Sequence, residues 1–160
     1  MTSDESSGET TKQRVDRELS ELLGELRIAL PGVQMLFAFL LTVPFYERFE
    51  TLGPYVRLVF FGTFVCTAVA AVFLIAPSSN HRISFRAQDK EALLLRANRY
   101  AIVGLAFLAL AICGAVFFIT GMVVGGGLWA PVATATTAVL IASTWYLLPL
   151  IRKVGKRGDA

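Results

Sequence analysis

The charges of this chain are gathered into four blocks, at residues 1–27, 47–57, 82–99 and 152–159. Between the blocks no Asp, Glu, Lys or Arg occurs over 28–46, 58–81 and 100–151, and Gly125-Gly126-Gly127 divides the last interval in two. An α-helix rises about 1.5 Å per residue, so about 20 apolar residues cross a hydrocarbon layer of about 30 Å. The three intervals therefore have room for four membrane-spanning helices. Composition points the same way: 55% of the 160 residues are hydrophobic and only 17% charged, where soluble domains carry about 25%.

The fold class that follows is all-α: an integral membrane, antiparallel four-helix transmembrane bundle with an N-terminal amphipathic helix. The transmembrane domain is expected over 28–151, with spans at about 28–46, 55–76, 100–122 and 128–151. Gly53-Pro54 precedes the second span and Pro77 is expected to close it. Pro131 falls in the first turn of the fourth, where a missing N–H costs little. Short links near 46–54 and 122–128 make neighbouring helices run antiparallel.

Residues 1–11 are polar and acidic and read as a disordered tail without the basic start and apolar core of a signal peptide. From 12 to 27, Val15, Leu19, Leu22 and Leu26 fall on one helical face, and Lys12/Asp16, Arg14/Glu18 and Arg17/Glu21 are i,i+4 pairs of opposite charge. This segment reads as an amphipathic cytoplasmic or interfacial helix. Pro31-Gly32 is expected to interrupt it, because Pro31 has no N–H for the carbonyl of Arg27. Residues 152–160 form a basic cytoplasmic tail.

Orientation follows from Lys and Arg. The N-terminal segment carries Lys12, Arg14, Arg17 and Arg27, the 77–99 connection Arg82, Arg86, Lys90, Arg96 and Arg99, and the tail Arg152, Lys153, Lys156 and Arg157, 13 in all. The opposite side has Arg48 and Arg57, so the 15 basic residues divide 13 to 2. Both termini are thus expected to be cytoplasmic, in a bacterial cytoplasmic (inner) membrane. Tyr46, Tyr55 and Trp129 at the outer ends of spans, and Tyr100, Trp145 and Tyr146 toward the inner ends, suit the two interfacial belts.

Few residues carry chemistry. His81 is the single histidine and has no second ligand near it in sequence, and Cys66 and Cys113 sit among apolar residues as small hydrophobes. No triad, phosphate loop or metal-ligand spacing occurs, so no enzyme activity, metal or cofactor is expected. The basic pI does not imply nucleic acid, because the aromatics lie inside the apolar runs.

What remains is packing and surface. Gly62, Cys66 and Ala70 in span two, and Ala106, Leu110 and Gly114 beside Ala111 and Ala115 in span three, read as helix-packing faces. Gln34 is the one strongly polar side chain within the first span and is expected to bond across to another helix, with the span-four hydroxyls as partners. His81, Arg82, Arg86, Arg96 and Arg99 form a candidate surface for anionic lipid headgroups or a membrane protein partner, partly covered by Glu18, Glu21 and Glu25. A homo-oligomer is a further expected partnership.

The run Glu25-Leu26-Arg27, Pro31-Gly32-Val33-Gln34 and Leu36 to Phe45, followed by Ala76-Pro77 and His81-Arg82, resembles a family of small bacterial four-span membrane proteins of unknown function. The likeness covers about Leu19 to Arg152, and its members are sometimes labelled sodium:proton antiporters. The resemblance implies no catalytic residues. The sequence thus reads as a multi-pass accessory or assembly component, with a small oligomeric ion or solute transporter as the alternative.

Overall fold

A computed structural model describes residues 11–83, 90–125 and 127–147. Helix α1 spans Thr11–Thr42 and tightens into a 3-10 turn at Val43–Phe45. A single turn, α2, follows at Glu47–Glu50, then α3 at Pro54–Ile83, α4 at Lys90–Val124 and α5 at Trp129–Ile141. Ala142–Leu147 continues from α5 as a π-helix. The turn after α4 is made by Gly125 and Gly127, at φ 81° and 84°, a region that side chains with a Cβ rarely adopt. The Gly125 N–H closes the last turn of α4 on the Gly121 carbonyl at 3.2 Å.

Two expected helix boundaries are absent. Pro31 was to separate an amphipathic helix from the first span, but α1 runs through it as one 32-residue helix. An interior proline costs about 3 kcal/mol, yet ending the helix there would strip several more backbone groups of partners in an apolar medium. Pro31 also lies on the exposed side of α1. Likewise α3 continues past Pro77 to Ile83.

The buried positions follow a 3.5-residue repeat. In α4 they are Ala97, Ala101, Gly104, Leu108, Ala111, Ala115 and Phe118, alternating steps of four and three. In α3 the corresponding seam is Phe60, Thr63, Thr67, Ala70, Leu74 and Pro77. In α1 the strongest burial recurs every seventh residue, at Leu19, Leu26, Val33 and Leu40. This repeat is the mark of knobs-into-holes packing.

The chain divides into two compact units, one of residues 1–39 and 67–107, the other of 40–66 and 108–160. In the first, Gly104 lies against Leu74 so closely that a Cβ would come within 2.7 Å of the leucine Cγ. Phe73 packs beside them, with ring centroids 5.9 Å from Tyr100 and 6.4 Å from Phe107. In the second, Gly114 presses on Thr63, whose Cβ would stand 3.1 Å from an added methyl. Phe49, Phe60 and Phe118 form an aromatic cluster there, with Phe60 at 5.0 Å and 5.3 Å from the other two. The close approaches thus occur at Gly104 and Gly114. Gly62, expected on a packing face, is exposed with nothing within 4 Å, and Ala106 is also exposed.

Three helical stretches, Gln13–Phe45, Pro54–Ser79 and Ala92–Val124, are long and apolar enough to cross a membrane, with mean hydropathies of 1.9, 2.6 and 2.8. Only 17%, 28% and 28% of their most apolar windows are buried. Apolar surface exposed on that scale belongs in lipid. Within the range expected for a fourth span the described residues form α5 and the π segment, in which Ala130 is buried and Val132, Val139 and Leu140 are exposed; residues beyond Leu147 lie outside the described residues.

Candidate functional site

The first unit contains a cleft between the start of α1 and the start of α4. Glu18, Glu21, Leu22 and Glu25, spaced i, i+3, i+4 and i+7, form one wall as a single helical stripe. Leu94, Leu95 and Asn98 form the other. Leu19 and Leu26, buried next to this stripe, hold α1 in place and turn the glutamates toward the cleft mouth.

Two of the carboxylates are engaged within α1. Arg14 Nε donates to Glu18 Oε1 at 2.9 Å, and Arg17 Nε lies 4.0 Å from Glu21 Oε1. All four side chains are at least 39% exposed, so each pair contributes no more than about 0.5 kcal/mol. The cleft is therefore an acidic, partly compensated rim over a leucine floor. Among the described residues no group of three His, Cys, Asp or Glu side chains is placed to hold a metal ion.

The predicted basic residues that are described fall on two helices. Arg96 and Arg99 are exposed on α4. Neither lines the cleft, whose α4 wall is leucine and asparagine: at 100° per residue Arg96 faces away from that wall, while Arg99 stands one turn after Leu95 at its edge. His81 and Arg82 belong to the last turn of α3, because the helix does not stop at Pro77. Arg86 lies outside the described residues.

Gln34 is exposed about three quarters of the way along α1, and its side chain makes no hydrogen bond to another described residue. Its expected partners are occupied locally. Thr134, Thr136 and Thr137 donate to the carbonyls of Ala130, Val132 and Ala133 at 2.8–2.9 Å, and Ser143 and Thr144 both donate to that of Leu140. Such back-bonding satisfies a hydroxyl in an apolar medium without a second helix.

A feature that sequence reasoning missed lies in the second unit. Leu52, Pro54, Leu58 and Phe61 line an open apolar pocket with Arg57 at its edge. The Arg57 guanidinium donates from α3 to the carbonyl of Glu50, the last residue of α2. It thereby satisfies a helix-end carbonyl and ties the short turn to the start of α3. The sequence signal was the seven-residue separation of Glu50 and Arg57, but a bond to a carbonyl leaves no mark in side-chain patterning.

Residues 8–149 match DUF6328, a family of unknown function. The chain belongs to DUF6328. The match begins before α1 and ends after the π segment, so every described element of this DUF6328 protein lies within it. No curated protein and no solved structure matched the chain.

Proposed function

We propose that this chain is a four-span, non-enzymatic protein of the bacterial inner membrane, an accessory or assembly component whose cytoplasmic surface holds anionic lipid headgroups. The observation that carries the reading is the pairing of exposed Arg96 and Arg99 with the charge-free length of α4 that begins at Tyr100. Cations at that junction would stand at headgroup depth, where each contributes about 1 kcal/mol of attraction to an anionic leaflet.

Further features support the architecture. In the second unit Phe60 meets Phe118 and Thr63 meets Gly114, the order of contact that antiparallel neighbours make. Trp129–Ile141 has 13 residues, about 20 Å of helix, and the six-residue π segment extends it toward the thickness of a bilayer. The 13-to-2 division of Lys and Arg supports cytoplasmic termini. An antiporter would place an ionisable group inside a span, yet 28–46, 58–80 and 100–151 contain no Asp, Glu, Lys, Arg or His.

The test compares wild type with Arg96→Gln/Arg99→Gln in nanodiscs of neutral and anionic lipid. Two charges at about 1 kcal/mol each should raise the wild-type melting temperature in anionic lipid by about 4–8 °C at low salt, an effect that high salt reduces. Equal stabilisation of both proteins would remove the arginines from headgroup binding.

A further inference from the structure

The outward face of α1 presents a problem of solvation. If the outer edge of the hydrocarbon layer lies at Phe45, about 20 residues place its inner edge near residue 26, and Gln34 then sits about 12 Å inside, close to the midplane. This placement rests on the reading of α1 as a membrane span. The Gln34 side chain is exposed there and has no hydrogen bond to another described residue. A primary amide offers two N–H donors and a carbonyl acceptor, and lipid tails can answer neither.

We infer that Gln34 is answered by the Gln34 of a second copy of this chain, in a parallel dimer built on α1. The amide is self-complementary: Nε2–H of one copy donates to Oε1 of the partner's Gln34, and the reverse bond forms about the same two-fold axis. Copies inserted with the same orientation place their α1 helices parallel, so equal positions meet. The register permits it. Gly24, Arg27, Pro31, Gln34, Ala38 and Leu41 are all exposed and step by three and four, a second 3.5-residue seam beside the inward one. One polar residue in such a seam fixes register between like helices. Arg27, one heptad below Gln34 at the inner boundary, is long enough to turn its guanidinium to the headgroups.

The test uses full-length protein in which Cys66→Ser and Cys113→Ser remove the native thiols. In liposomes under mild oxidation, Ala38→Cys should form an intermolecular disulfide, while Val33→Cys, on the buried side of α1, should not. Energy transfer between donor- and acceptor-labelled copies, followed on lipid dilution, gives the association constant. Gln34→Leu, which inserts at least as well as the wild type, should weaken association about 3- to 30-fold, and Gln34→Asn should stay within about threefold of wild type. A monomeric wild type, unchanged association of Gln34→Leu, or crosslinking at Val33→Cys in preference to Ala38→Cys would each overturn the inference. Protease protection of an N-terminal tag and resistance to alkaline extraction report α1 insertion separately. An uninserted α1 refutes the spanning reading and the dimer together, whereas an inserted α1 without Gln34-dependent association refutes the dimer alone.

Discussion

Gly114→Ala is the substitution whose cost the structure defines most sharply. The added methyl would stand 3.1 Å from Thr63 Cβ and nearer still to its hydroxyl. Thr63 is poorly able to give way. Its β-branched side chain is 4% exposed, and its hydroxyl donates to the Val59 carbonyl at 2.8 Å. Rotation would break that bond in an apolar setting, so the helices must separate instead, loosening the neighbouring Phe60–Phe118 contact at 5.3 Å. Overpacking of this kind costs about 1–3 kcal/mol. Gly62→Ala is the internal control: nothing lies within 4 Å, so the gain in helix propensity should leave it neutral or up to about 1 kcal/mol more stable. Reversible unfolding in mixed micelles measures both. The second arm is Thr63→Ala, which removes the opposing oxygen, so that Gly114→Ala in its background should recover about 1 kcal/mol or more as a coupling energy. If Gly114→Ala proves as benign as Gly62→Ala, or if Thr63→Ala gives no relief, the close helix approach at this position is wrong.

Arg57→Leu should release α2 from the start of α3: losing the bond to the Glu50 carbonyl costs about 1 kcal/mol at an exposed position, so amide exchange over 49–52 should accelerate about fivefold. Unchanged exchange would show that the bond does not hold the turn. In protein lacking native thiols, single cysteines at Ser79 and Gly158 should be shielded from an impermeant thiol reagent in intact cells, and one at Leu128 should be labelled. Labelling of Ser79 from outside would reverse the orientation drawn from the basic residues.

The helices were legible because membrane insertion imposes a coarse, additive requirement. A charge-free run near 20 residues is visible without knowing what it touches, and so the all-helical class and helices long and apolar enough to cross a membrane were legible. Helix ends were less legible. Pro31 and Pro77 read as stops, because propensity measured in water lets freed backbone groups bond to solvent, whereas in lipid a broken turn has no such outlet. The packing seam was legible in part. Ala70, Ala111, Gly114 and Ala115 read as packing positions and are packed, but Gly62 and Ala106 face outward, and the close approach at Gly104 is masked by apolar residues on every face. Where all sides of a helix are apolar, hydropathy no longer distinguishes inside from outside. The cleft of Glu18, Glu21 and Glu25 was half legible: the acidic stripe is periodic, but its facing residues on α4 depend on the rotation of that helix.

This distribution of residues indicates where function can reside. The seams of α3 and α4 are filled mainly with alanine, leucine, phenylalanine and two threonines, with glycine at the closest approaches, and among the described residues no buried side-chain polar atom lacks a partner. The hydroxyls of α5 are spent on its own carbonyls. An interior so occupied leaves recognition to groups that the fold holds outward: Arg96 and Arg99 at one end of α4, the carboxylates of the α1 cleft, Arg57 at the edge of its pocket, and Gln34 on the open face of α1. All of these offer charge or hydrogen bonding at a surface, and each is opposite in need to lipid tails. Partners of the DUF6328 protein should therefore be met at the membrane boundary or along α1, and mutations at those surfaces should alter association while leaving the packed seams intact.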